Sequence, residues 1–388
     1  MSAAIETLDL FRVDVTWRTS WALVRVQLDD GTVGWGESSD AHIARIAVDR
    51  FSELAADYRG LGFEQAHSRL DAAIAEAAAA LGDSAAWPAE PTLLGGIEQA
   101  FCDLAAQQAG QSLASYLGGP DTSYAIPLYA NINRGLRERT PTEFARLARS
   151  AVDNGFTAIK CAPFDFLVGD RRVETGLRLI EAVRAEVGEN VDLMMDAHHN
   201  LSLAELTAYR QGILDLNLRW IEDVARVENP VEVQQVKEVL DVPQAGGEAA
   251  TRPDQVVAAI ESGALDVFMP DVKHAGGDRV AVALGAIAAE AGLEVSIHNP
   301  TGPVGTAHSA AASAATPTAR ILEFAFGEVD WRADLLTDPG LESGAYARAT
   351  TRPGLGVGVS MSTLTEHLGE PVPVGSAHPG SQLWASGQ

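Results

Sequence analysis

Three acidic residues, Asp196, Glu222 and Glu248, follow one another at intervals of 26 residues. Each closes, or lies just beyond, a short apolar run of strand character, so parallel neighbouring strands would carry all three to one rim. Carboxylates crowded there repel unless a cation sits among them. An all-oxygen donor set favours Mg²⁺, one per chain with Mn²⁺ as the alternative, over zinc. One acid in such a place is ordinarily a helix N-cap; three in register call for another explanation.

Groups able to move protons share the pattern. His298 ends a run in Val295-Ser-Ile-His-Asn-Pro300, and Asp271 ends the preceding one in Met269-Pro-Asp-Val-Lys273. A carboxylate beside an imidazole orients the ring and raises its basicity. His198 follows Asp196 by two residues and so faces the same way while the strand lasts. This brings a second histidine to the metal site, on the far side of a substrate from His298. Lys160 and Glu323 close two further runs, and Lys160 can meet a substrate carboxylate. Arg18, Asn131, Asn133, Arg134 and Lys273 lie in loops that would decide substrate choice. His199, His274 and His308 have less claim: His308 reads as helical and His274 as packing.

The elements that must position these groups show two rhythms. Trp21 to Gln27 alternates like a strand, Asp29-Asp30-Gly31 is a turn, and Thr32 to Trp35 returns. Ala-rich helical stretches follow at Ile43–Tyr58, Phe63–Leu81 and Leu94–Gln108. Further on, short apolar runs recur at Ile126–Ala130, Ala158–Lys160, Val191–Met195, Leu218–Ile221, Val242–Gln244, Val267–Met269, Glu294–Ile297 and Arg320–Phe324. Amphipathic helical patterns such as Pro141–Asn154, Val173–Val187, Pro253–Ser262 and Arg279–Ala291 lie between them. Eight strands alternating with helices predict a parallel α/β barrel. The rival open sheet of a dinucleotide-binding protein would want a glycine-rich turn after its first strand, and Tyr129-Ala-Asn-Ile-Asn-Arg-Gly135 is not one. Gly354-Leu-Gly-Val-Gly358 opens no helix and reads as a loop. The tail beyond about Asp338, rich in Gly and Pro, is expected to pack back on the N-terminal unit.

Composition narrows the classes. With 28 basic against 53 acidic residues the formal charge is −25, which argues against general nucleic-acid binding and against an anionic membrane surface. A small anionic carboxylate substrate is compatible, provided that its charge is met locally. Cys102 and Cys161 make no disulfide framework. The N-terminus lacks the pattern of a signal peptide and no apolar run is long enough to span a bilayer, so the cytoplasm is the expected location.

Taken together, these residues resemble the mandelate racemase subgroup of the enolase superfamily over nearly the whole chain. Gly31-Thr-Val-Gly-Trp-Gly-Glu37 is similar to its capping-domain hairpin and Gly155-Phe-Thr-Ala-Ile-Lys160 to its second barrel strand. Asp196, Glu222 and Glu248 match its metal ligands, and Asp271 with His298 its Asp–His dyad. Within the subgroup, Asp196-Ala-His198, Pro270-Asp-Val-Lys-His-Ala-Gly-Gly277, His298-Asn-Pro-Thr-Gly-Pro303, Trp17-Arg-Thr-Ser-Trp21 and Leu383-Trp384 resemble galactonate-type acid-sugar dehydratases. The resemblance implies a modified TIM barrel, (β/α)7β, over 126–339. It also implies an α+β capping domain over 1–125, completed by 340–388, and a homo-oligomer, dimer or octamer. It further implies that His298 takes the proton next to the substrate carboxylate, that His198 protonates the departing hydroxyl, and that Glu323 hydrogen-bonds the substrate carboxylate. The product would be a 2-keto-3-deoxy acid. Three departures touch the substrate side. Lys160-Cys161-Ala162 stands for the usual Lys-x-Lys, Ile221-Glu-Asp-Val224 for Glu-Glu-Pro, and Ala249 for an arginine. A racemase or epimerase of a 2-hydroxy or amino acid and a hydroxyproline-type dehydratase remain open for the same site.

Overall fold

The computed structural model describes residues 3–16, 19–39, 43–82 and 86–369. Arg18 and the Leu383-Trp384 pair lie outside the described residues. The chain opens with an antiparallel sheet of β1 (Ile5–Asp14), β2 (Ser20–Leu28) and β3 (Val33–Glu37). The periodicity reading misses β1. A register irregularity between Ile5 and Thr7, and a burial pattern that is mostly intermediate, blur its alternation.

Helices Ile43–Tyr58, Phe63–Leu81 and Ala89–Ala109 pack on this sheet through Val24, Val26, Leu28, Leu70, Ile97 and Phe101, all buried. The third begins earlier than its predicted start at Leu94. Gly34 and Gly36 explain how closely β3 lies on it. A Cβ on Gly36 would stand 2.0 Å from the Gly96 carbonyl oxygen, and one on Gly34 2.3 Å from that of Ala100. Only glycine lets strand and helix backbones approach so far.

Eight parallel strands follow: β4 (Tyr124–Asn131), β5 (Ala158–Cys161), β6 (Asp192–Asp196), β7 (Trp220–Glu222), β8 (Gln244–Gly246), β9 (Val267–Phe268), β10 (Glu294–Val295) and β11 (Leu322–Ala325). They pair in chain order from β4 to β10, and β11 returns to lie along β4. Val295 forms a single parallel bridge with Ala319, just ahead of β11. A helix links each strand to the next. In Pro141–Asp153, buried Phe144, Leu147, Ala148 and Ala151 recur at helical spacing, and the Thr140 hydroxyl accepts the Glu143 amide. Helix Leu203–Leu214 starts with a Ser202–Glu205 capping box, and Asn229 caps Pro230–Val239. These N-caps start the helices sharply after the chain leaves the strands' carboxyl ends.

The sheet has two buried faces. One face meets the helices in one large apolar cluster. Its other face carries Tyr129, Ala158, Met194, Trp220, Ala245, Val267, Met269 and Ile321, which form a separate cluster. Beyond the eighth strand, β12 (Glu342–Ser343) and β13 (Tyr346–Ala349) form a hairpin, and β13 runs antiparallel to β4. Later tail residues reach the N-terminal unit: Gly354 donates to the Gln111 carbonyl at 2.8 Å and Leu368 bridges Val13. Among the described residues no helix is long and apolar enough to cross a membrane.

Candidate active site

A cavity of about 500 Å³ opens at the carboxyl ends of the parallel strands. Asn131, Asn133, Lys160, Asp196, His198, Glu248, Lys273 and His298 line it. Glu222, Asp271 and Glu323 are buried immediately behind that lining and are bonded to residues in it. Parallel register accounts for the grouping, since Asn131 pairs with Lys160 and Asp196 with Glu222 on adjacent strands.

Lys160 is fully buried. Its ammonium binds Glu222, lies 3.0 Å from Glu323 Oε1 and 3.4 Å from Asp196 Oδ2. Burial opposes its charge, but Glu222 and Glu323 outweigh that and hold it well above the ordinary lysine range. Glu222 also accepts the Trp220 indole N–H at 3.1 Å. Burial, opposed by Lys160 and reinforced by Asp196 and Glu323, pushes Glu222 up to about 8. Asp196 goes the other way: against the effect of burial, His198 and Lys160 hold its carboxylate far below the usual range.

His298 and His198 are each gripped on both ring nitrogens. His298 places Nδ1 2.8 Å from Asp271 Oδ2 and Nε2 2.8 Å from Glu248 Oε2. His198 places Nδ1 2.7 Å from Asp165 Oδ1 and Nε2 2.9 Å from Asp196 Oδ2. Burial works against both imidazoliums, yet Glu248 and Glu323 raise His298, and Asp165 and Asp196 raise His198, well above the ordinary histidine value. Glu248 is correspondingly held at about 2, its contact with His298 overcoming burial.

Asp196, Glu222 and Glu248 end or follow neighbouring strands but do not form one close triad. Two groups of three such side chains have ligand atoms all within 4.8 Å of one another among the described residues: Asp271–His274–His298 and Glu98–Cys102–Asp278. The reason is charge pairing: Asp196 and Glu222 turn toward Lys160, and Glu248 toward His298. Lys273, expected at the substrate, folds its ammonium back to Asp271 Oδ2 at 2.7 Å. Asn131 donates to Glu323 at 2.6 Å, while the Asn133 side-chain oxygen accepts the Ala162 amide at 2.6 Å. Both asparagines line the cavity while bracing its wall.

Sequence reasoning overlooked Asp165, Asp223 and Trp87, all of which line the cavity. Asp165 lies five residues beyond Lys160 in a loop whose path no periodicity describes. Asp223, beside Glu222, is raised well above the usual range by burial and then by Glu248, Asp196 and Glu222. Trp87 comes from the N-terminal unit and meets the His274 ring edge-on, with centroids 4.6 Å apart. Backbone strain gathers in the same place. Among the described residues the non-glycine positive φ angles are at Phe166, His198, His199, Asn217 and Asp223, and all but Asn217 line this cavity.

The family follows from this frame and from direct comparison. A family model described as enolase C-terminal domain-like matches residues 143–363. That is more than half of the chain, which belongs to the enolase superfamily. The chain is 27% identical over 385 residues to the D-gluconate dehydratase of Thermoproteus tenax, covering 96% of this chain and 75% of that one. It is 24% identical over 379 residues to the D-xylonate dehydratase of Haloferax volcanii, covering 94% and 89%. The crystal structure of a mandelate racemase/muconate lactonizing enzyme-like protein from Rubrobacter xylanophilus superposes with a TM-score of 0.80 at 24% identity, covering 96% of this chain and 100% of that one. The protein is an enzyme of the hydro-lyase class within that superfamily.

Proposed function

We propose that the protein dehydrates an acid sugar of the aldonate kind, such as galactonate, taking the proton next to the carboxylate and expelling the 3-hydroxyl as water. The observation that carries this reading is the pair of Asp-anchored imidazoles, His198 and His298, on one cavity beside the strand-end acids. Curated relatives named as acid-sugar dehydratases support the substrate class. The parallel sheet is read as a closed (β/α)7β barrel over 126–339. The separate inner cluster and the Val295–Ala319 bridge support closure. The remainder, 1–125 with 340–388, is read as the cap.

Asp196, Glu222 and Glu248 would hold Mg²⁺. The fit is chemical: these are oxygen donors suited to a hard cation. With Asp223 and Glu323 they make five buried carboxyl groups that Lys160, His198 and His298 balance only in part. Bound there, the ion would supply positive charge to the substrate carboxylate, worth several kcal/mol of barrier.

The chain's own groups supply the rest. When Glu248 is engaged elsewhere, His298 loses the contact that most favours its protonated form and becomes a base. Its Nε2 then takes the C2 proton, while Asp271 keeps the Nδ1 hydrogen in place. Lys160 supplies positive charge where negative charge gathers on the resulting enediolate, and Glu323, which against burial Lys160 holds below the usual carboxylate range, anchors that ammonium. The electron pair released at C2 breaks the C3–O bond, and His198 Nε2 gives the departing hydroxyl its proton.

A library of acid sugars, incubated with Mg²⁺ in deuterated water, tests the reading. A semicarbazide-reactive keto acid is expected, with activity and Mg²⁺ affinity both lost in Glu222→Gln. Deuterium uptake at C2 without keto acid would instead favour epimerisation, for which imidazoles backed by carboxylates at both positions are also suited. Full turnover by Glu222→Gln would refute the metal assignment.

A further inference from the structure

We propose that Asp165 is the positioning residue of a second Asp–His dyad, fixing His198 as the proton donor to the leaving group. The inference rests on the reading of His298 as base and His198 as acid. A carboxylate only accepts hydrogen bonds, so the 2.7 Å contact between Asp165 Oδ1 and His198 Nδ1 puts the ring hydrogen on Nδ1. That leaves Nε2, on the Asp196 side, as the nitrogen that gives and regains a proton. The arrangement repeats Asp271 with His298, whose strand β10 lies four strands away from β6.

The local chain is built to aim Asp165. Phe166, the next residue, sits at φ 62°, in the left-handed region that aromatic side chains rarely occupy. Its ring lies under the Arg139 guanidinium at 5.6 Å, and Arg139 also covers Phe144 of helix Pro141–Asp153 at 5.2 Å. Arg139 Nη2 donates to the Ala162 carbonyl at 2.5 Å. The loop is thus clamped before and after Asp165. His198 meets it from its own left-handed position, φ 41°. Among the described residues the Asp165 carboxylate has no other hydrogen-bond partner. It serves the imidazole and does not brace its own loop.

In the step itself the proton leaves His198 Nε2 for the 3-hydroxyl, the C3–O bond breaks with its electron pair going to oxygen, and water departs. Asp165 takes no part in the transfer; its contact with Nδ1 holds the ring in place while Nε2 reacts.

The test uses full-length, Mg²⁺-loaded protein and two readouts. By ¹⁵N–¹H NMR, the low-field Nδ1–H resonance of His198, identified by its loss in His198→Asn, is expected to vanish or move upfield in Asp165→Asn. In deuterated water with the acid sugar that the wild type turns over, Asp165→Asn is expected to lower kcat for keto acid about 10²-fold. KM should stay within about twofold, while recovered substrate still gains deuterium at C2 through His298; Asp165→Glu should restore part of kcat. An unmoved resonance, or exchange and elimination that fall together or not at all, overturns the proposal. Failure of the underlying reading shows separately, as C2 exchange that survives His298→Asn.

Discussion

The carboxylate of Glu37, at the end of β3, accepts the hydroxyl of Thr301, 264 residues further along the chain, at 2.6 Å. It also accepts the amides of Gly302 at 2.6 Å and Gly305 at 2.7 Å, at the start of helix Pro303–Ala315. A carboxylate belongs at a helix N-terminus, where orphan amides and the dipole favour negative charge. The hairpin is thereby tied to the helix between β10 and β11. Glu37→Ala leaves buried donors unmatched and is expected to cost about 2–4 kcal/mol, with Glu37→Gln costing less. Urea unfolding of the two variants measures this; an unchanged midpoint for Glu37→Ala would refute it.

Gly36→Ala should be worse than an ordinary glycine substitution, because its methyl group meets helix backbone at 2.0 Å. Strand and helix must part for it to fit, and a loss above about 3 kcal/mol is expected. Gly31, at φ 87° in an open turn, is the control. Its alanine variant meets only backbone strain, about 1 kcal/mol. Thermal melts should rank the two in that order.

His308 predicts a pH dependence away from the site. Its Nδ1 lies 2.7 Å from Asp278 Oδ2 and its Nε2 2.9 Å from the Trp35 carbonyl. Burial lowers its pKa, but Asp278 and its hydrogen bond more than compensate and raise it to about 8. The unfolded value is about 6.5. The folded state therefore binds this proton more tightly, and the stabilisation is complete below about pH 6.5. It is lost as pH rises through about 8, by about 2 kcal/mol in all. Unfolding free energies at pH 6 and pH 9 should differ less in His308→Gln than in the wild type; equal slopes would count against the assignment.

Strand ends were legible because a parallel strand announces itself by a short apolar run, and its last polar residue is where the active rim must lie. Lys160, Asp196, Glu222 and Glu323 fall within two residues of those ends. Asp165 was not legible, since the left-handed turn at Phe166 decides where it points and nothing in Pro163-Phe-Asp-Phe166 signals that turn. Nor does spacing reveal that Lys273, which lines the cavity, also curls its long side chain back on the Asp271 carboxylate. Trp87 reaches the site from the stretch between the helical patterns Phe63–Leu81 and Leu94–Gln108, where no periodicity marks it. The expectation at Arg18 falls outside the described residues.

Trp220 belongs to the inner apolar cluster and also holds Glu222 by its indole N–H at 3.1 Å. Trp220→Phe should cost about 1–3 kcal/mol in lost packing and a lost hydrogen bond to a carboxylate. On the proposed metal assignment it should also weaken Mg²⁺ binding about tenfold or more. Calorimetric titration checks the second effect, and unchanged affinity would show that the indole is only filler.

The same indole means that the apolar cluster around Trp220 is also the footing of the cavity's acidic wall. Selection or engineering cannot adjust one without disturbing the other. Attempts to harden this protein by repacking beneath the cavity should trade turnover for heat resistance, whereas changes to the outer helices are free of that bargain.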